Sequence, residues 1–354
     1  MTFPNFLTSL SSRVQSINPF GTPTNSPDAF DPAIADVFSV KAILQSLSLP
    51  LELADTIIDF AQYWPHTSTV LTGINPAYAQ GKALEDYFIA RTLPLGCLPS
   101  SPSTDPSRAP ATSRGRTTPH PFPPSQSDAS KKATAALYSA WAQASQPREA
   151  HPCRKIVFRF RSRDQGWGGD HKDRGTYNGS FTWLDVGKER VRVVDDNESE
   201  ILEKSMKLPQ PEAQRSEGDV EKTFAWNLES IDPPPKEGGV PKWSQAGLDL
   251  GDMPMPTVEL EHPFLPHDKT LQKNRTATND EKDYTIVWRW DDDIDAESDD
   301  AEELQKTGRG KATGNGEFVR SLEVGDVVTL WARARFPGWF ITVKDVEIDM
   351  FWAV

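Results

Sequence analysis

The chain has 354 residues, with 51 acidic and 38 basic side chains and a net charge of −13. A field of that sign excludes general binding to nucleic acid, whose phosphates it repels unless a basic patch stands apart from it. The length suits two domains, yet 30 Pro, 37% hydrophobic residues and a mean hydropathy of −0.55 predict that much of the chain stays unpacked.

Residues 1–31, with Pro4, Pro19, Pro23 and Pro27 among Ser, Thr and Asn, predict a disordered N-terminus. Val40, Ile43, Leu44 and Leu47 then recur at helical spacing behind Ser39, a residue suited to capping. Pro50 opens a second helix whose stripe is Leu53, Ile57, Phe60, Ala61 and Trp64, closed by Pro65. Leu84, Tyr87 and Phe88 predict a third helix over 76–91, so 32–95 reads as a small helical unit. Pro, Ser, Thr and Arg dominate 96–130, a linker that cannot bury enough apolar area to offset the entropy of ordering. Leu137, Ala140 and Trp141 predict a connecting helix within 131–150.

From residue 151 the period changes to two. Ile156, Phe158 and Phe160 face one way and Lys155, Arg159, Arg161 and Arg163 the other, the pattern of a half-buried strand. Asp164-Gln165-Gly166-Trp167-Gly168-Gly169 supplies glycines for a sharp turn that presents Trp167. Phe181 to Val186 and Arg190 to Val194 predict two strands turned at Gly187-Lys188, and Phe224, Trp226 and Leu228 another. Tyr284, Ile286, Trp288 and Trp290 alternate, as do Val328, Leu330, Ala332 and Ala334 after the turn at Gly325-Asp326. Val346, Ile348, Met350, Trp352 and Val354 close the series, with Asp345, Glu347 and Asp349 on the opposite face.

Stretches near 205–220, 231–260 and 291–315, rich in Pro, Gly or acid, read as disordered insertions. Short strands without intervening helices predict a mainly β protein with an α-helical N-terminal part. Its β domain, 151–354, reads as an antiparallel jelly-roll-like β-sandwich with long disordered insertions. The basic outer face of its first strand and the acidic outer face of its last predict antiparallel neighbours, with Arg159 and Arg161 against Glu347 and Asp349.

Chemistry-bearing residues are sparse. Cys97 and Cys153 carry no metal-ligand spacing, which excludes a cysteine-based zinc site and predicts two reduced thiols. The acids of 291–302 occupy several positions of a calcium loop, but Ala296 stands where that loop needs glycine, so a solvated acidic loop is expected. Asp164, Asp170, His171 and Asp173 crowd the glycine-rich turn without a second histidine and read as turn-forming residues, with no metal or cofactor. An alternative is a hydrolase working through Asp164, Asp170 and His171. Of the 11 Trp, Trp167 and Trp339 are flanked by glycine in loops and are expected to be at least partly presented, which makes Asp164, Gln165, Trp167, His171 and Trp339 the candidate ligand contacts.

Residues 1–30 lack the basic start and apolar core of a secretory signal, and nowhere do about 18 apolar residues follow one another. The expectation is a cytoplasmic or nuclear protein with no membrane partner, its sequons at Asn178, Asn197 and Asn274 unmodified.

Two resemblances add to this. Asp164-Gln165-Gly166-Trp167, Gly175-Thr176-Tyr177, Phe181-Thr182-Trp183, and Gly325 to Trp339 with Phe351-Trp352-Ala353 resemble a family of fungal proteins without an assigned activity, over about two hundred residues. Members of that family occur fused to ankyrin repeats, which implies a binding domain more than a catalyst. Leu49-Pro50-Leu51-Glu52-Leu53 with Ile57-Ile58 resembles the start of an F-box, which implies docking to a ubiquitin-ligase scaffold. Together they imply a non-enzymatic binding or adaptor protein that meets a protein or glycan through loops near Trp167 and Trp339.

Overall fold

Alternation between apolar and charged side chains builds the centre of the molecule. In the computed structural model, which describes residues 32–71, 77–80, 86–96, 143, 145–191, 228–237, 242–244, 255–257 and 259–354, Cys153–Arg163 forms strand β4. Ile156, Phe158 and Phe160 of β4 point into the core. On its two sides lie β10 (Lys282–Arg289) and β12 (Phe340–Trp352), both antiparallel. Beyond β12 come β1 (His66–Leu71) and β2 (Ala77–Gln80), which complete a five-stranded sheet in the order β1-β12-β4-β10, with β2 also on β12.

The second sheet runs β3-β11-β5-β6, from Asp86–Arg91, Asp326–Ala334, Thr182–Val191 and Leu228–Asp232, with the short β9 (Gln272–Lys273) also on β5. The two sheets close over one core in which Phe158, Ile348 and Trp352 meet Leu184, Leu330 and Ala334. A small hairpin, β7 (Lys242–Ser244) with β8 (Met255–Thr257), stands apart. The fold is thus the two-sheet antiparallel sandwich that the strand periods predict.

The pairing of β4 with β12 follows the charge argument. Arg159 lies opposite Glu347 and pairs with it at 3.1 Å, and also with Asp349. Arg161 differs from expectation, pairing instead with Asp283 at 2.8 Å and Asp345 at 3.4 Å.

Four expectations are corrected. The described residues of 76–91 form strands, not the predicted helix: β2 and β3 lie there, so 32–95 is no separate helical unit but supplies three strands to the two sheets. The turn at Gly187-Lys188 is absent because β5 runs straight through it. A Cβ at Gly187 would lie 2.4 Å from the Asp232 carbonyl and 2.5 Å from Thr329 Oγ1, so the glycine serves close strand packing. Residues 291–315 are ordered, with helix α3 (Asp299–Lys306) and a 3-10 turn at Lys311–Gly314. The described part of 231–260 is ordered too, through β6, β7, β8 and a bridge between Pro235 and Leu260. The expectations for 1–31, 97–130, most of 131–150, 205–220 and Phe224 to Trp226 lie outside the described residues.

Helices α1 (Ile34–Ser46) and α2 (Leu51–Ala61) form a hairpin as expected, but α1 begins behind Ala33, with Ser39 inside the helix, and the predicted stripe residues Ile43, Leu47, Leu53, Ile57 and Phe60 are exposed. Val37, Ala54 and Ile58 are buried on its inner side. Lys41, also buried, donates to the Val354 carbonyl and pairs with Asp55 at 2.6 Å. Cys153 is free and buried, and burial pushes its thiol up to about 12, so it has no thiolate for chemistry.

Candidate functional site

The end of β4 fixes one corner of the sandwich. Asp164 is fully buried, and its two carboxylate oxygens accept hydrogen bonds from the backbone amides of Gln165 at 2.5 Å and Ala277 at 2.8 Å. Burial pushes its pKa up to about 7, against the lowering effect of those amides. Gln165 is buried beside it: its Nε2 donates to the Trp167 carbonyl at 2.6 Å and its Oε1 accepts from the Phe340 amide at 3.3 Å. These two side chains tie the turn after β4 to the loop at 277 and to the start of β12.

Glycines set the turn on top of this base. Gly166, Gly168 and Gly169 have φ of +91°, +92° and +73°, values that other residues adopt only under strain. Trp339 lies beneath Gly168 and Gly169, within 3.9 Å of where their Cβ atoms would stand, and packs edge-on against Phe181 at 5.1 Å. It is therefore 8% exposed, which corrects the expectation that it faces solvent. Trp167 behaves as expected, with 58% of its surface exposed. Its six-membered ring rests on Gly338, where an added Cβ would come within 2.7 Å of Cη2.

Further aromatic residues extend the exposed surface. Phe336, at φ +69°, is partly exposed and packs edge-on against Phe181 at 4.7 Å and Phe264 at 5.8 Å. Phe264 and Leu265 are also exposed. Trp167, Phe336, Phe264 and Leu265 thus cap one end of the sandwich, backed by the buried Trp339 and the partly buried Phe181. The motif around Trp167 is readable in the sequence. Phe264-Leu265 carries only a faint signal, an apolar pair between Pro263 and Pro266 that cannot join a strand.

A buried ionic network holds this end from below. Arg333 bonds Asp185 at 2.5 Å and Asp86 at 2.7 Å, and Arg335 bonds Asp86 at 2.8 Å and the Pro263 carbonyl at 2.8 Å. Trp183 Nε1 donates to Asp185 at 2.8 Å, and His267 Nε2 stands 3.5 Å from its other oxygen. Burial alone would raise Asp185, but Arg333, His267 and Trp183 outweigh it and hold the carboxyl at about 2. Burial, with Arg333 nearby, lowers His262 to about 3, so that imidazole stays neutral. Arg335 adjoins Phe336 in sequence and grips the carbonyl next to Phe264, so the network sets the spacing of the exposed rings.

The hydrolase residues are not brought into one reactive site. Asp164 is inside the protein with both oxygens occupied, whereas Asp170 and His171 are exposed on a 3-10 turn. Asp170 caps that turn by accepting from the Lys172 amide at 3.3 Å. Among the described residues no group of three or more His, Cys, Asp or Glu is placed to hold a metal ion. The acids of 291–302 cap turns: Asp292 accepts from the Arg289 amide, Asp295 from the Glu297 amide, and Ser298 caps α3. Asn274 is buried and bonds Ser162 and Thr182, a placement closed to glycan attachment.

A cleft of about 390 Å³ opens elsewhere, beside Trp288 and Phe318. Lys188, Lys269, Asp232 and Glu317 all line it, and their opposing charges favour no charged ligand. Leu53 and Ile57, on which the F-box-like resemblance depends, are exposed at 51 and 42%. No protein-family model, curated protein or solved structure matches the chain. No helix among the described residues is long and apolar enough to cross a membrane.

Proposed function

We propose that this protein is a non-enzymatic recognition module, intracellular in setting, whose aromatic end grips a protein or glycan ligand. The observation that carries this reading is Trp167, an indole with one edge seated on Gly338 and more than half its surface exposed. A ring backed by glycine is a rigid platform: it offers a large contact area and loses little side-chain entropy on binding. Phe336, Phe264 and Leu265 extend that platform, and the buried network beneath it keeps the rings in place before a ligand arrives. The enclosed Asp164 and the exposed His171 speak against acid–base catalysis at this end.

The test is binding to an immobilised glycan array and to a peptide library, with the native chain beside Trp167→Ala and Gly338→Ala. Trp167→Ala is expected to weaken the strongest interaction by about 30-fold or more, the effect of losing a central aromatic anchor. Gly338→Ala is expected to weaken it too, because the new Cβ displaces the indole. Both should keep the native far-ultraviolet spectrum. Binding that is indifferent to Trp167 would place the ligand elsewhere and remove this reading.

A further inference from the structure

The helical hairpin presents a second apolar surface of a different kind. Ile43, Leu47, Leu53, Ile57 and Phe60 are 60, 69, 51, 42 and 86% exposed. Leu53, Ile57 and Phe60 stand at i, i+4 and i+7, on a face of α2 about 110° round from the buried Ala54 and Ile58. Ile43 and Leu47 repeat the i, i+4 step at the end of α1. Five large apolar side chains exposed on one hairpin mark a contact with another macromolecule.

We infer that this face is covered by the same face of a second copy of the chain, the two hairpins meeting across a two-fold axis as a four-helix contact. Area is the first argument. The five side chains expose on the order of 650 Å², close to the roughly 800 Å² that each partner buries in a standard-size interface, and residues around them add to it. Symmetry is the second. In an isologous contact each copy brings the same stripe, so every apolar residue finds an apolar partner and the assembly closes at two.

Charge is the third argument. A chain with a net charge of −13 resists self-association unless the contact itself is neutral. Two of the hairpin's four acids are neutralised: Asp55 pairs with Lys41 at 2.6 Å and Arg148 at 3.5 Å, and Asp59 pairs with Arg148 at 2.5 Å. Asp36 and Glu52 lie in the first turns of α1 and α2, where the helix dipole stabilises them. The dimer would carry two aromatic ends, and so gain avidity for a ligand that repeats. It stands without the aromatic-end reading, since it uses none of the same residues.

Sedimentation velocity of the full chain over a range of concentrations tests it. The native chain is expected to show a monomer–dimer equilibrium. Leu53→Glu with Phe60→Glu should raise the dissociation constant by at least about 30-fold. Their exposure means that the unfolding midpoint, read at concentrations where the native chain is monomeric, should not move. Ile43→Glu, on the other helix, should weaken the dimer independently, whereas Trp167→Ala should leave it intact. A native chain that stays monomeric at every concentration overturns the inference, as does a dimer that survives both sets of substitutions. A monomeric chain that instead retains a different protein through Leu53 overturns it in favour of the scaffold partner implied by the F-box-like stretch.

Discussion

Two backbone amides converge on the Asp164 carboxylate, and the surrounding burial opposes its charge. Its pKa rises from the usual carboxylate range, near 3.9 in an unfolded chain, to about 7 in the fold. The folded state therefore holds the proton more tightly. The stabilisation from the neutral acid is complete below about pH 4 and is lost as the pH rises through about 7. Asp164→Asn removes that dependence, and it places an amide donor opposite a backbone N–H, which costs about 1–3 kcal/mol at any pH. Urea unfolding at intervals from pH 5 to pH 8 should thus show the native chain ahead of Asp164→Asn at pH 5, with the gap shrinking towards pH 8. A gap that widens would mean the two amides win over burial and keep the carboxylate charged. At this scale the sequence was half legible. Trp167 and Trp339 both sit beside glycines, and only packing separates them: Gly168 and Gly169, lacking side chains, lie on one indole, while Gly338 carries the other on its outer side.

Among the elements, those with one buried face were the ones that periodicity could identify. β4, β10 and β12 each put apolar residues inward and charge outward, and the opposed charges of β4 and β12 even named the neighbour. β3 gave no such signal, because Phe88, Ile89, Ala90 and Arg91 are all buried and both of its faces are covered. β11 was legible as a strand from Val328, Leu330, Ala332 and Ala334, but its second face was not: Thr329, Trp331 and Arg333 alternate like solvent-facing residues yet are buried, with Trp331 against Leu260 and His262. Arg333 is tolerated there only because Asp185 and Asp86 neutralise it. Asp185→Ala leaves that guanidinium half-paired in the interior and is expected to cost about 3–5 kcal/mol. Guanidinium denaturation would read this loss, and a variant within about 1 kcal/mol of the native chain would show that water, not the carboxylate, solvates Arg333. The 291–315 segment misled for another reason: its acids look solvated, yet they satisfy the amides of their own turns and the start of α3.

For the whole molecule, the consequence of β1, β2 and β3 is that the sandwich does not begin at residue 151. β1 and β2 pair with β12, and β3 covers the free edge of β11. Trp64, Leu71, Ile89, Ala90 and Leu95 enter the same core as Phe158 and Leu330. The long 96–130 stretch, which composition marks as a linker, therefore separates parts of one body in sequence, not two bodies in space. A fragment beginning at His151 keeps every residue of the predicted β domain but loses those core side chains, each worth roughly 1.5–3 kcal/mol for a large apolar group. It also bares the edges of β11 and β12. Losses of that size rival the entire stability of an ordinary domain, about 5–15 kcal/mol. The fragment is expected to lack a cooperative urea transition and to associate through its open edges. Adding residues 32–96 as a separate chain should restore part of the native near-ultraviolet spectrum, because the missing strands have defined registers on β11 and β12. A fragment from His151 that unfolds cooperatively at the native midpoint would refute the single core.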